Sequence, residues 1–146
     1  MNYRIVLDTN VLVSAVLNKQ DAPAAIVNAV INGDYSLISS PAILEEALRV
    51  FSYPKIRQLL QKNRVSSQEI ETFIHQIAGI CIIVPGKLQI DAVQKDISDN
   101  MFLSCAIEGK ADFIVSGDHH LTELKNFHKI PILPPAEFID IDRGIK

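Results

Sequence analysis

Five short apolar runs do most to constrain this chain: Tyr3–Leu7, Ser36–Ser39, Cys81–Val84, Phe113–Ser116 and Ile130–Leu133. Most are consecutive aliphatic or β-branched residues, without the polar alternation of a sheet that meets water on one face. Strands of that kind need cover on both sides. Helical patterns over Pro23–Asn32, Pro41–Phe51, Ser66–Ile77 and Asp99–Glu108 are placed between them to supply it. The alternation predicts a three-layer α/β/α fold, Rossmann-like, around a mainly parallel sheet of about five strands.

Local signals mark the boundaries. Asn32-Gly33-Asp34 stops a helix, Ser40-Pro41 starts one with a cap and an N1 proline, and Pro85-Gly86 ends a strand. Ser66 and Glu69 have capping-box spacing. No repeat, low-complexity tract or linker interrupts the chain, and 146 residues suffice for one domain over 1–146 with its own core. Asp142–Lys146 is expected to fray.

Hydrophobic residues at 48% and charged residues at 21% argue against disorder. Apolar stretches such as Ile80–Val84 are too short to cross a bilayer, and Arg4 and Asp8 stand where a signal peptide would be apolar. A cytoplasmic protein without a membrane partner is therefore expected. Cys81 and Cys105, each among apolar neighbours, read as buried small hydrophobes, which suits a reducing compartment. The net charge of -3 excludes the broad basic field of a DNA-coating protein. A phosphate-rich partner would need bound cations, which reverse the sign of an acidic cleft.

The distribution of acids supplies that possibility. Asp8 and Asp118 follow apolar runs at their carboxyl ends, where ligands of open α/β sheets gather, and Asp99 opens a helix that can face the same rim. On the helix Pro41–Phe51, a spacing of about 100° per residue puts Glu46 beside Ile43 and Val50 on the flank of the apolar face. Glu45 points further out, four residues before Arg49. Glu46 is the stronger site candidate. Each aspartate alone would serve as a helix cap. Two carboxylates about 4 Å apart, however, repel by roughly 4 kcal/mol at an effective dielectric near 20, a cost that structural roles do not require. A hard divalent cation offsets it.

The segments LDTNVLVSA, SPAILEEALRVF, SDNMFLSCAIEGKADFIVSGDHHL and IPILPPAEFI resemble, in order and spacing, the PIN (PilT N-terminus) domain family, and within it the VapC-like toxins of toxin–antitoxin pairs. The resemblance implies an acidic pocket holding Mg²⁺ or Mn²⁺, with Asp8, Glu46, Asp99 and Asp118 matching its four acids in chain order. It also implies hydrolysis of RNA phosphodiesters, an antitoxin whose tail enters the pocket, and room for a homodimer. Asp8 and Asp99 are the candidate direct metal ligands, with Asp118 and Glu46 binding directly or through water. Asp96 is a further, weaker candidate for the rim. Where many relatives have another aspartate two positions after SGD, this chain has His120, preceded by His119, so a fifth acidic ligand is not expected.

Thr9 and Asn10 begin the first helix, whose N-terminus favours phosphate. Tyr53, Lys55, Arg57, Lys62 and Arg64 cluster in YPKIRQLLQKNR, the best candidates for RNA contacts outside the pocket, Lys55 and Arg57 first among them. No histidine or cysteine pair has zinc-like spacing. A haloacid-dehalogenase-type phosphoaspartyl enzyme needs Asp where Asn10 stands; a receiver domain needs an acid where the middle strand ends in Val84-Pro85-Gly86; a dinucleotide-binding domain needs glycines where DTNVL stands. The remaining alternatives are a non-catalytic PIN-like RNA- or protein-binding module, and an RNA-processing nuclease unrelated to toxin–antitoxin systems.

Overall fold

The computed structural model describes residues 2–87 and 97–144, leaving aside the side chains of 97–99. Strand β1 (Arg4–Leu7) leads through α1 (Thr9–Leu17) and α2 (Ala22–Ile31) to β2 (Ser36–Ser39). The hairpin-like pair α3 (Pro41–Phe51) and α4 (Pro54–Lys62) follows, then α5 (Ser67–Ile80) and β3 (Ile82–Ile83). The second half holds α6 (Ile97–Glu108), β4 (Phe113–Val115), α7 (His119–Thr122), β5 (Asn126–Phe127), β6 (Ile130–Leu133) and α8 (Pro135–Asp142).

The strands form one sheet in the order β3-β2-β1-β4-β6-β5, parallel except for β5 against β6. Alternation along β1 divides the core. Ile5 and Leu7 join Val11, Leu12, Ile26, Val27 and Phe138 above the sheet, while Val6 joins Ile43, Phe102, Leu103, Ala106 and Leu121 below it. Helices on both faces explain why β1 is apolar from Ile5 to Leu7. The three-layer, mainly parallel expectation holds, with one strand more than expected. That strand, β5, exists because His128 and Lys129 turn the chain with φ of 50° and 68°, a conformation usually signalled by glycine or asparagine.

Capping chemistry follows the sequence closely. Ser40 accepts from the Ile43 N–H at 3.3 Å. The Ser66–Glu69 capping box is complete, and Gly33 ends its helix at φ +88°. Three expectations are corrected. Helix α6 is already formed at Ile97, so Asp99 lies inside the helix and does not open it. Asp142, placed by the sequence in a frayed end, instead closes α8 and accepts a 2.6 Å hydrogen bond from the Tyr35 hydroxyl, while 145–146 lie outside the described residues. Cys81 is half-buried, because β3 is an edge strand whose Ile82 and Ile83 are themselves exposed. Cys105 is buried as expected, and burial pushes its thiol up to about 12.

Among the described residues no helix is long and apolar enough to cross a membrane.

Candidate active site at the carboxyl rim

Chain order and sheet order together locate a crevice. From β1 the chain moves to β2 and β3 on one side, and later returns to β4 on the other. The β1/β4 boundary is thus a topological switch point, where loops leave in opposite directions and open a cleft outside the strand ends. Leu7 pairs with Val115 in register, so the next residues, Asp8 and Ser116, emerge side by side. The Asp8 N–H donates to the Val115 carbonyl at 3.1 Å, fixing that arrangement.

Asp8 caps α1 and is only 4% exposed. The Val11 N–H donates to its Oδ1 at 2.9 Å, and the fully buried Ser116 hydroxyl donates to its Oδ2. Ser116 Oγ in turn accepts the Asp118 N–H at 2.9 Å. Asp118, half-buried, caps the short α7 by accepting from the His120 N–H at 2.9 Å. A single serine therefore ties the two acids to one loop.

Burial pushes the Asp8 carboxyl above its ordinary range, and the negative charge of Asp118 pushes the same way; the bonds from Ser116, Val11 and Gly117 act against them. No described lysine or arginine forms an ion pair with either acid. Thr9, the residue after Asp8, is buried, and its Oγ1 has no hydrogen-bond partner among the described residues. Two neighbouring carboxylates offer oxygen donors, the chemistry that fits a hard divalent cation. Gly117 needs glycine neither for φ nor for space, since a Cβ there would meet nothing within 4 Å. The rim is open at that point.

The other expected residues are placed less completely. Arg4, which starts β1, donates from Nε and Nη2 to the Gly109 carbonyl just past α6, so α6 ends at the amino end of the sheet. Its twelve residues, about 18 Å at helical rise, run back beneath the sheet and direct the first turn, with Asp99, toward the carboxyl rim. The Asp99 side chain and Asp96 lie outside the described residues. Glu46 is half-buried on the flank of α3, while Glu45 is exposed. Asn10, His119 and His120 are exposed, as are Lys55 and Arg57 on α4. Among the described residues no three His, Cys, Asp or Glu side chains converge to hold a metal. The sequence reading missed Ser116; its one available signal is its place directly after a buried strand, two residues before Asp118.

A PIN domain family model matches residues 4–120. An uncharacterised protein of Methanocaldococcus jannaschii is 28% identical over 146 residues, covering 94% of this chain and 90% of that protein. Among solved structures, VapBC2 from Rickettsia felis, bound to a DNA fragment from its promoter, aligns with a TM-score of 0.54 at 16% identity. That alignment covers 88% of this chain and 96% of that one, and at this identity it bears on the fold alone.

Proposed function

This chain belongs to the PIN domain family, whose members are generally nucleases, and we propose that it is a divalent-metal-dependent endoribonuclease, the toxin of a toxin–antitoxin pair. The observation that carries the reading is Asp8: a buried carboxylate, held by hydrogen bonds from Ser116 and the backbone, facing the charge of Asp118 with no described cation to offset it. The Rickettsia felis neighbour is a VapBC assembly, which supports a cognate antitoxin as partner. In this proposal the whole of 1–146 acts as one cytoplasmic PIN domain.

Asp8, Asp99 and Asp118 are the proposed metal ligands, and Glu46 completes the catalytic acids from the flank of α3. Magnesium or manganese bound there would neutralise charge at the phosphoryl oxygens and lower the pKa of a bound water, so that hydroxide would be available near neutral pH. Ser116 orients Asp8 and, through the Asp118 N–H, sets the loop that carries the second acid. Burial excludes water from Asp8, which strengthens every charge interaction it makes. Thr9 and Asn10, in the first turn of α1, are proposed to meet the scissile phosphate, where helix N–H groups already favour an anion. Lys55 and Arg57 are proposed to contact the substrate away from the reacting bond.

The test is cleavage of mixed RNA by purified protein in Mn²⁺ or Mg²⁺ and in chelator, repeated with Asp99→Asn. Cleavage confined to the metal arm and lost in the variant is the expected result. Cleavage that persists in chelator overturns the mechanism, and intact RNA in every arm favours a binding module.

A further inference from the structure

Arg49, Lys55, Arg57, Lys62 and Arg64 are five of the chain's 14 lysines and arginines, and the stretch that holds them, Ala47 to Gln68, contains no aspartate or glutamate. The whole chain carries -3, so positive charge is concentrated here against an acidic remainder. The stretch folds as the end of α3, then α4 and the turn after it. Leu60 is the one residue of α4 that is fully inside, packed with Val13 and Val16 of α1 and with Phe51 and Val65. All five cations are exposed, and none forms an ion pair with a described residue.

A merely solvated basic helix has no use for large apolar groups on its outside, yet Tyr53 is 47% exposed and Leu48 is 51% exposed. Helical spacing sorts the side chains. Tyr53 and Arg57, four apart, share one flank of α4; Lys55, exposed Leu59 and Lys62, at i, i+4 and i+7, share the other. Cations beside an uncovered ring are what an unpaired strand recognises: phosphates take the charge and a base stacks on the ring. In a duplex the base faces are hidden by stacking, leaving the ring nothing to cover.

We propose that the α3–α4 arm is a docking surface for unpaired RNA, with Tyr53 stacking a base and Lys55, Arg57 and Lys62 holding phosphates. This rests on the reading of the chain as an RNA-cleaving PIN domain. The arm is joined to the rim twice, through α3, which carries Glu46, and through the cluster that seats Leu60 on α1, which Asp8 caps. Affinity resides in the arm and chemistry at the rim. Tyr53 is then a specificity-determining residue that leaves the reacting bond alone.

The experiment measures binding of Asp8→Asn protein, in chelator, to fluorescent RNA of about 12 nucleotides, single-stranded or annealed to its complement. Single-stranded RNA is expected to bind more tightly than the duplex. Tyr53→Ala should weaken that binding roughly 5- to 150-fold, and Tyr53→Phe should restore most of it. Lys55→Gln with Arg57→Gln should lower the slope of log affinity against log salt by about 1.4. In otherwise unaltered protein with Mn²⁺, Tyr53→Ala should raise KM and leave kcat nearly unchanged. Equal affinity for duplex, or no effect of Tyr53→Ala, overturns the arm while metal-dependent cleavage still supports the nuclease. Tyr53-dependent binding by a protein that cleaves no RNA in any divalent ion overturns the nuclease and leaves the arm standing.

Discussion

At the carboxyl end of the sheet the Ser116 hydroxyl donates to Asp8, and at the amino end the Tyr35 hydroxyl donates to Asp142 at 2.6 Å. The donor–acceptor chemistry is the same, but the surroundings differ. Asp142 is exposed, and the positive charge of Arg143 works against the negative charge of Asp34 and Asp142 at the Tyr35 hydroxyl. Asp8 is buried, and the charge acting on it from the described residues is another carboxylate, Asp118. The amino end even has room for a ligand, a cleft of about 510 Å³ lined by Asn2, Asp34, Tyr35 and Arg143 among others. Room is therefore a poor guide to chemistry in this molecule. Charge that the fold buries without offsetting it is the better one.

The sharpest way to break that contrast is Asp8→Asn. Asparagine caps a helix as well as aspartate does, so α1 should survive, while cleavage should fall by roughly 1,000-fold. Without metal the variant should melt at a higher temperature than the natural protein, because it removes a buried charge and its repulsion from Asp118. Mn²⁺ should raise the melting temperature of the natural protein alone. A variant that melts lower in the absence of metal would show that the carboxylate was already satisfied, and the two ends would no longer differ in kind.

A smaller effect is expected from Ser116→Ala, which removes the group that touches both acids. Loss of an outer hydrogen bond to a metal ligand costs about 10- to 100-fold in metal affinity or activity. The midpoint of the Mn²⁺-dependent rise in melting temperature reads this directly. An unchanged midpoint would mean that the backbone bonds from Val11 and Gly117 suffice to orient Asp8.

Which parts of this arrangement were legible in the sequence depends on how local their causes are. Asp8 and Asp118 follow buried strands, and the caps at Ser40 and Ser66 need only their neighbours; all could be read from short segments. Ser116 could not, because its meeting with Asp8 is set by the register of Leu7 against Val115, between segments more than a hundred residues apart. The half-burial of Cys81 is non-local for a related reason. GICIIV has the composition of a central strand, but topology puts β3 at the edge of the sheet and leaves Ile82 and Ile83 uncovered. Strand β5 escaped because His128 and Lys129 adopt positive φ without the residues that announce it. Helix α8 was hidden behind Pro134-Pro135, where the first proline precedes the helix and the second occupies its N1 position.

Tyr35→Phe should have the smallest effect and the most distinctive pH signature. Losing the hydrogen bond to Asp142 should cost about 1 kcal/mol at neutral pH, with RNA cleavage at the rim unchanged. Burial pushes the Tyr35 hydroxyl above its ordinary value of 10.0, and the bond to Asp142 with the charges of Asp142 and Asp34 pushes further, against Arg143. The folded protein thus keeps a proton that the unfolded chain releases above pH 10, so stability falls as pH rises beyond that point. The contribution is fully present below pH 10. Phenylalanine has no proton to lose, so the two denaturation curves should run parallel from pH 7 to 9 and draw together above pH 10. The other alkaline groups, the buried Cys105 thiol included, are common to both proteins and cancel in the difference. A gap that stays constant to pH 11 would mean that Tyr35 ionises as freely in the fold as outside it. The amino end would then owe its order to the packing of Phe138 against Tyr3, Tyr35 and Phe113, with the hydroxyl–carboxylate bond contributing little.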